Sequence, residues 1–382
     1  MKILFYFGLG FLLVFEFLKI YFIMPFPGSQ QWDSIDFAYF LHRYKAVFWT
    51  VALILTGIGF KPAILGSKKW IPFGCLILTV GLIGFFNFKM AADAMFKEPE
   101  SLTFETKDEF TGSDSMLVVV TGDEFVSKAY PVRYLVYHHQ VRDVIGSDPV
   151  MVTYCSVCRT GRVFSPYING KEESFRLVGM DYFNAMFEDS QTGSWWQQAT
   201  GEAIAGPLKG QKLEELEALQ MSAYTFFRSY PNGLIMEPDP AFLSSYDSLG
   251  KYELGKSESK LTGTDPFSWN EKSWVIGIIL DGKSKAYDWN ALKEKRIIHD
   301  EIGGESIVLL LSSDSQSFVV FKRRATDFFT WKNDILTSDL GETYSYTGKS
   351  QDLNYPDLER VPAYQEFWHS WRTFRPNSTK YP

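Results

Sequence analysis

SKAYPVRYLVYHHQVRDVIG, residues 127–146, recurs without a gap as SKAYDWNALKEKRIIHDEIG, residues 284–303. The offset is 157 residues (284 minus 127), and eight of the twenty aligned residues are identical. Self-similarity at a fixed period is the signature of a duplicated structural unit. We therefore predict that the segment 127–164 superposes on the segment 284–321, within two tandem copies of one unit of ordinary domain size.

Short β-branched and aromatic runs separated by turn signals dominate the chain after about residue 93. Asn169-Gly170 and Asn232-Gly233 are strong turn dipeptides, and Asp143 is predicted to cap the Ile-Gly turn that follows it. Helical periodicity is scarce, so the sequence predicts a fold that is mainly β with some α. We place the first β-rich unit, which carries two cysteines, at 93–240 and the second at 241–382.

Three apolar segments precede these units, within residues 1–92. A membrane-spanning helix needs about 20 mainly apolar residues. We predict transmembrane helices at about 3–26, 45–64 and 70–88. The bilayer is therefore one expected partner of the chain.

Basic residues predict the orientation of these helices. Lys61, Lys68 and Lys69 lie in the short loop between the second and third segments, and Lys2 lies at the N-terminus. The positive-inside rule places both regions in the cytoplasm. The third helix then leads the remaining chain outward. The sequence predicts a multi-pass protein of the cytoplasmic membrane whose C-terminal domain is extracytoplasmic (periplasmic).

The charge balance and the common catalytic motifs exclude several functions. The net charge is −7 and the pI is about 5.4, which argues against a nucleic-acid partner, because such partners require a basic surface. The sequence contains no nucleophile elbow, phosphate loop, paired-His metalloprotease helix or dinucleotide fingerprint. No reaction class follows from motifs, and whether the protein is an enzyme is left open.

VTYCSVCRTGRVF, residues 152–164, contains a Cys-x-x-Cys motif at Cys155 and Cys158. At the repeat offset these cysteines correspond to Ser312 and Ser315. The second unit is therefore predicted to form the same hairpin without thiols. A disulfide that closes so short a loop would also add little stability. Both points favour a functional role for the cysteines over a role in folding.

The chain resembles the domain of unknown function (DUF) 3179 family of bacteria and archaea. The resemblance rests on an AYP start, a Tyr-His pair leading to an Asp, the Thr-Tyr-Cys-x-x-Cys hairpin, and an S-x-W-x-Q…GEA…GPL-x-G run. These motifs fall on residues 129–131, 137–138, 143, 153–158, 194–198, 201–203 and 206–210. Ser156 and Arg159 replace a proline and a glycine or asparagine that many members carry. The resemblance implies a common fold over most of residues 100–382 and a set of candidate site residues, without a reaction.

Four interpretations of the cysteine pair remain open: a thiol-redox couple, a soft-metal site of copper or haem-iron type, a structural zinc site, and a local disulfide that stiffens a binding loop. For the redox couple we predict that Cys155, Cys158 and His138 form one unit exposed in a pocket, because a base beside Cys-x-x-Cys is typical of disulfide oxidoreductases. For the metal site Met186 joins them, because copper favours thiolate, thioether and imidazole ligands. A structural zinc site needs four ligands. The third cysteine of the chain, Cys75, lies in the third apolar segment and does not form a second pair with another cysteine.

Trp196, Gln198 and Asn184 are further candidate cofactor-binding residues. The candidate cofactors are copper, haem and zinc, or no cofactor at all. The function we predict is a thiol-redox or soft-metal handling domain that acts with an extracytoplasmic protein or redox partner. The alternative is a non-catalytic binding module whose aromatic surface, around Trp195, Trp196 and Phe187, is accompanied by a local disulfide.

Overall fold

Helices occupy the N-terminal part of the chain, and strands occupy most of the rest. The computed structural model describes residues 1–66, 68–114, 117–122 and 126–382. Within these residues the α-helices are α1 (Lys2–Tyr21), α2 (Ile35–Arg43), α3 (Lys45–Ile64), α4 (Trp70–Phe88), α5 (Ala92–Met95), α6 (Val132–His138), α7 (Ala223–Ser229), α8 (Leu243–Asp247), α9 (Gly250–Glu253), α10 (Trp289–Lys295) and α11 (Trp368–Phe374). Short 3-10 helices span Ser29–Gln31 and Pro240–Phe242.

The strands are short, and they form several separate sheets. In chain order they are β1 (Phe104–Glu105), β2 (Leu117–Thr121), β3 (Lys128–Pro131), β4 (Gln140–Ile145), β5 (Asp148–Cys155), β6 (Thr160–Phe164), β7 (Tyr167–Ile168), β8 (Lys171–Glu172), β9 (Phe175–Asp181), β10 (Asn184–Asp189), β11 (Trp195–Gln197), β12 (Ala203–Ala205), β13 (Glu215–Leu216), β14 (Leu219–Ser222), β15 (Leu234–Met236), β16 (Trp274–Leu280), β17 (Lys283–Asp288), β18 (Ile297–Ile302), β19 (Glu305–Leu311), β20 (Phe318–Lys322), β21 (Phe329–Lys332), β22 (Ile335–Ser338), β23 (Thr343–Tyr344), β24 (Ala363–Phe367) and β25 (Thr379–Lys380). The predicted β-rich class with some α is confirmed.

Three helices among the described residues, α1, α3 and α4, are long and apolar enough to cross a membrane. The bounds of α3 and α4 agree with the predicted segments 45–64 and 70–88. The first predicted helix, 3–26, was too long, because α1 ends at Tyr21. Pro25 and Pro27 follow closely. A proline lacks the backbone N–H that a helix requires and disfavours the helical conformation in the residue before it.

A polar cluster joins these three apolar helices. The buried carboxylate of Glu16 accepts hydrogen bonds from Lys19 Nζ at 2.8 Å, Trp49 Nε1 at 2.7 Å and Asn87 Nδ2 at 2.7 Å. Lys19 Nζ also donates to Asn87 Oδ1 at 2.6 Å. Charged groups within apolar helices are costly unless they are paired. The cluster pairs them with residues from α1, α3 and α4.

The chain divides into two compact units. The first comprises Met1–Lys97, Glu173–Gln197 and Glu202–Lys212. It contains α1–α5 and the four-stranded sheet β12-β11-β10-β9. The second compact unit comprises Glu98–Glu172, Gln198–Gly201 and Leu213–Pro382. From here on "the second unit" means these residues, which differ from the predicted β-rich unit 241–382. The boundaries that we placed at 92/93 and 240/241 stay predictions.

Two sheets of the second unit have four strands in the same order, and the first of them carries β1 as a fifth strand. One runs β1-β15-β3-β2-β14, and the other runs β24-β16-β17-β25. In the first, β2 is antiparallel to β3 and to β14, while β15 is parallel to β3. In the second, β16 is antiparallel to β17 and to β24, while β25 is parallel to β17. Three consecutive antiparallel strands follow in each half: β4-β5-β6 come after β3, and β18-β19-β20 come after β17.

Identical residues of the repeated stretch make matching contacts in the two halves. The carboxylate of Asp143 accepts hydrogen bonds from Lys128 Nζ at 2.8 Å and Tyr130 Oη at 2.6 Å. The corresponding distances in the other half are 2.6 and 2.7 Å, and the residues are Lys285, Tyr287 and Asp300. The carboxylate of Asp143 thus joins β4 to β3, and its Oδ1 also accepts from the backbone N–H of Val144 at 2.7 Å, just before the Ile-Gly turn that we predicted Asp143 to cap.

Candidate functional site

The two cysteines lie in the turn between β5 and β6. Cys155 pairs with Thr160 across the hairpin, and Arg159, just before β6, has a left-handed backbone with φ of 57°. The cysteines are only 1 % and 0 % exposed, and they do not form a disulfide. The prediction that they are exposed in a pocket is therefore wrong. Residues distant in sequence cover the turn.

Three consecutive carbonyl groups of the turn, at residues 156–158, accept hydrogen bonds from the second half of the chain. The donors, in order, are Tyr252 Oη at 2.9 Å, Lys272 Nζ at 2.8 Å and Phe367 N at 2.9 Å. Buried backbone carbonyls need such partners. The backbone of the turn is therefore fixed at each of these peptide groups.

Lys272 and His369 meet at the carbonyl oxygen of Val157, between the two cysteines. Lys272 Nζ lies 3.1 Å from His369 Nε2, which itself lies 3.0 Å from the Val157 oxygen. Burial lowers the pKa of Lys272 to about 8, against the opposing attraction of Cys158 and then Cys155. Burial, assisted by the Lys272 charge, lowers the pKa of His369 to about 3. At neutral pH the site thus presents an ammonium and a neutral imidazole.

Aromatic residues and an arginine line the turn on the side of Cys155. Burial raises the pKa of Tyr154 and also that of Tyr252, and Cys155 adds to both effects. Both phenols are therefore neutral at physiological pH. The Arg159 guanidinium lies 3.7 Å from the ring centroid of Trp274 and donates to backbone carbonyls, including that of Tyr252 at 3.0 Å.

A buried ion pair continues the site along β6. Arg162 Nη2 lies 2.5 Å from Glu366 Oε1, and Thr160 Oγ1 donates to the same oxygen at 3.0 Å. The Arg162 guanidinium also lies 3.3 Å from the ring centroid of Tyr364. Charge buried in this way is costly unless it is well paired. Strand β24 thus supplies one acidic partner of the first hairpin, and Glu215 Oε1, 3.4 Å from Arg162 Nε, is another.

His138 lies in a pocket of aromatic rings within the second unit. Its Nε2 is 2.5 Å from Tyr246 Oη, and its ring contacts those of Tyr137 and Phe242. The residue is buried. Its proposed closeness to the cysteines stays a prediction. An imidazole that does contact the turn belongs to His369.

Gln198 lies beside the cysteine hairpin, as its candidacy requires. Its Nε2 donates to Thr153 Oγ1 at 3.2 Å and to the Thr160 carbonyl at 3.1 Å. These residues flank the turn on the two paired strands. The amide of Gln198 therefore bridges β5 and β6.

The other candidates, Asn184, Met186 and Trp196, belong to the first unit and are buried. Trp195, Trp196 and Phe187 are each at most 2 % exposed. The indole of Trp195 donates to Glu188 Oε2 at 2.8 Å. These rings do not form an exposed aromatic surface, because they pack inside the unit. The structure therefore gives no support to the binding module that we predicted at these residues.

Across the part of the chain that the structure describes, no group of three or more His, Cys, Asp and Glu side chains could hold a metal ion. The metal set of Cys155, Cys158, His138 and Met186 stays a prediction.

Sequence reasoning missed Lys272, His369 and Glu366, which lie more than 100 residues from the cysteine motif. One signal was present in the repeat. At the offset of 157, Thr153 and Arg162 correspond to Leu310 and Val319. Polar residues at strand positions that are apolar in the other half indicate a buried polar partner for the first hairpin.

The chain belongs to the DUF3179 family, and the matching family model, "Protein of unknown function (DUF3179)", covers residues 95–378. The family resemblance predicted from the sequence is thereby confirmed. Comparison with curated proteins and with solved structures found no match.

Proposed function

We propose that the protein is a membrane-anchored thiol-redox protein in which Cys155 and Cys158 interconvert between the dithiol and the disulfide. The observation that carries the proposal is the ammonium of Lys272, held at the turn carbonyl between the two cysteines. A nearby cation favours the thiolate, which is the reactive form of cysteine. The second hairpin carries serines in place of both cysteines, which supports a role beyond folding.

The reaction is exchange with an external disulfide, R–S–S–R. Because both sulfur atoms are buried, the residues that cover the turn must first move aside. A thiolate of the pair then attacks the sulfur–sulfur bond, and a mixed disulfide forms while RS⁻ leaves. The second cysteine gives up its proton and attacks the mixed disulfide, which closes the Cys155–Cys158 bond and releases the second RS⁻. The pair loses two electrons and two protons, and the external disulfide becomes two RSH.

The test is to count thiols in the purified full-length Cys75→Ser chain. Oxidised glutathione should remove two thiols from the count, and dithiothreitol should restore them. The Cys155→Ser/Cys158→Ser chain is the control, and it should show no change. Metal content is measured in the same preparation. Thiols that do not cycle, with stoichiometric copper or zinc bound to them, would favour the metal interpretation instead.

We also infer that the two β-rich halves are copies of one unit. The matching order of four strands in the two sheets supports this, as do the positions of α6 and α10, each of which begins and ends 157 residues from its counterpart. Left-handed residues, His139 and Arg296, end both helices. An experimental structure in which 127–164 and 284–321 differ in strand order would refute the inference.

The orientation that we propose places the region after about residue 90 outside the cytoplasm, anchored by α1, α3 and α4. The lysines of the loop between α3 and α4 support it. Protease added to intact spheroplasts should digest the C-terminal region while sparing a cytoplasmic marker protein. Digestion only after the spheroplasts are lysed would reverse the orientation.

A further inference from the structure

We propose that residues 254–263 are a lid over the cysteine turn and that Lys272 is the latch that holds this lid closed. The inference rests on the proposed redox function and names the covering residues that move aside. Access to the buried Cys155 and Cys158 is then controlled by a local opening of the chain, and global unfolding is not required.

Lys272 joins the lid to the turn through its ammonium group. Its Nζ donates to the carbonyl oxygen of Val157, between the two cysteines, at 2.8 Å. It also donates to the carbonyl oxygen of Leu261, in the lid, at 2.5 Å. Hydrogen bonds from a charged donor are stronger than those from a neutral one. A single side chain therefore holds the lid against the turn.

The lid is otherwise weakly held to the rest of the second unit. It contains no helix or strand, and none of its side chains is buried. Among the described residues, its other hydrogen bonds and its ion pair stay within the lid or reach α9, which directly precedes it. Segments with few buried contacts open locally at a low cost in free energy. The lid is such a segment.

The other groups that contact the turn belong to the core. Tyr252, which donates to the Ser156 carbonyl, is buried in one apolar cluster with Tyr154. Phe367, which donates to the Cys158 carbonyl, is the buried last residue of β24, a strand paired with β16. Moving either of them would break packed structure. Of the groups that cover the turn, the lid is therefore the one that can move alone.

A cavity of about 190 Å³ lies beside the lid. Its lining includes the buried Tyr252 and three lid residues, Ser257, Glu258 and Thr262. Tyr252 Oη in turn donates to the Ser156 carbonyl at 2.9 Å, within the cysteine turn. A lid that moves away would widen this cavity toward the turn.

The experiment measures how fast the two cysteines are alkylated. The full-length Cys75→Ser chain in detergent is treated with N-ethylmaleimide at pH 7, and mass spectrometry counts the alkylated cysteines over time. The measurement is repeated in urea below the unfolding transition. Opening of the lid exposes little surface, so the rate should depend only weakly on urea. A rate that rises with urea as steeply as global unfolding does would overturn the proposal.

Gly255→Ala should open the lid without touching the latch. Gly255 has φ of +68°, and a Cβ at this position would lie 2.6 Å from the Trp274 ring. An alanine therefore strains the closed lid, and alkylation should become on the order of tenfold faster.

The matched control for this variant is Gly282→Ala, in the turn between β16 and β17. Gly282 has φ of +71°, and an added Cβ meets open space. The backbone strain is similar but lies outside the lid, so the alkylation rate should not change. Alkylation of Gly255→Ala no faster than that of Gly282→Ala would overturn the proposal.

Lys272→Met tests the latch itself. It removes both hydrogen bonds of the ammonium, and alkylation should become on the order of tenfold faster. Loss of the cation by itself would disfavour the thiolate and slow the reaction, so a faster rate reports greater exposure. Tyr252→Phe is the control, because it removes a hydrogen bond to the same turn and leaves the latch in place. A rate that does not rise in Lys272→Met, or that rises equally in Tyr252→Phe, would contradict the assignment of the latch.

The failures of the two proposals are distinguishable. If the pair cycles with glutathione but its alkylation does not respond to Gly255→Ala or Lys272→Met, the lid fails and the redox function stands. If alkylation follows the lid but the pair does not cycle, the redox function fails and the lid stands.

Discussion

The two hairpin turns of the second unit, at 155–160 and 312–317, close similar strand pairs in different surroundings. In the first, the backbone N–H of Phe367, at the end of β24, donates to the Cys158 carbonyl at 2.9 Å. In the second, the N–H of Ser222, at the end of β14, donates to Ser317 Oγ at 2.9 Å. Each turn therefore contacts a strand from the other half of the chain. The second turn is completed by serines around Asp314, which accepts from Ser222 Oγ at 2.6 Å.

The strands that lead to the turns differ more. Leu310 and Val319 of the second hairpin belong to an apolar core with Met221 and Phe226. The matching residues of the first hairpin, Thr153 and Arg162, are buried among polar groups that include Glu366. A buried ion pair is often less stabilising than an apolar replacement of similar volume. The first hairpin thus retains costly polar groups beside its cysteines, as functional sites commonly do.

The largest expected effect comes from breaking the ion pair. Arg162→Val leaves the Glu366 carboxylate buried without its guanidinium, and we expect a loss of about 3–5 kcal/mol in the free energy of unfolding. Arg162 corresponds to Val319 at the repeat offset, and Glu366 corresponds to Met221 because they pair with Val275 and Val118, which are 157 residues apart (275 minus 118). The double variant Arg162→Val/Glu366→Met installs these two apolar residues and should recover most of the loss. Chemical denaturation of the full chain in detergent measures both.

The control for this pair is Lys322→Met, which removes an exposed ion pair with Glu359. It should leave the free energy of unfolding nearly unchanged, because exposed ion pairs contribute little. If the double variant is as unstable as the single variant, the polar groups are required for packing. The apolar residues of the other half then cannot replace them.

Acid should destabilise the first turn through His369. Its folded pKa of about 3 lies below the ordinary 6.5, so the unfolded chain takes up the proton first as the pH falls. Stability is therefore full above pH 6.5 and is lost between about 6.5 and 3. Between pH 7 and 4.5 this group should account for about 2–3 kcal/mol. His369→Asn cannot titrate, so its stability should depend on pH less steeply by that amount. If the free energy of unfolding depended on pH equally in both chains, the lowered pKa of His369 would not be the cause of the acid sensitivity.

The proposed duplication of the two halves predicts matched effects at Asp143 and Asp300. Each carboxylate accepts from a lysine and a tyrosine. Asp143→Asn and Asp300→Asn should each reduce the free energy of unfolding by about 2 kcal/mol, because hydrogen bonds to a charged group are weakened. Thermal unfolding of the two variants compares them directly. A large effect at only one site would show that the halves use these identical residues differently.

The smallest expected effect is that of Cys155→Ser/Cys158→Ser on stability. The second turn forms with Ser312 and Ser315 at the corresponding positions. We therefore expect the double variant to lose about 1 kcal/mol or less, as buried thiols are replaced by hydroxyls of similar size. Denaturation at pH 7 measures this change. A loss of several kcal/mol would make the cysteines structural.

The elements could be predicted from the sequence because their signals are local. Apolar length indicated α3 and α4, and the repeat indicated that both halves contain the same hairpin. The end of α1 was missed because two prolines, Pro25 and Pro27, outweighed apolar composition. The burial of Trp195 and Trp196 was missed because a strand pattern alone does not reveal that both faces are covered.

The site was only half predictable. The Cys-x-x-Cys motif and Gln198 were found from a local pattern and a family resemblance. Lys272 and His369 reach the turn through tertiary packing, from positions 114 and 211 residues beyond Cys158 (272 and 369 minus 158). The nearest histidine in the sequence, His139, and its neighbour His138 gave no indication of them. The signal of a distant partner was that Thr153 and Arg162 of the first half correspond to the apolar Leu310 and Val319 of the other half.

The most direct test of the redox function is an equilibrium titration of the full-length Cys75→Ser chain in glutathione buffers of graded potential. The mass of the alkylated chain reports how many thiols remain at each potential. We predict one two-electron transition, assigned to Cys155 and Cys158, at a potential of about −270 to −120 mV, the range of exchangeable protein dithiols. Two thiols that stay reduced, or a disulfide that stays closed, across the whole range would contradict the account.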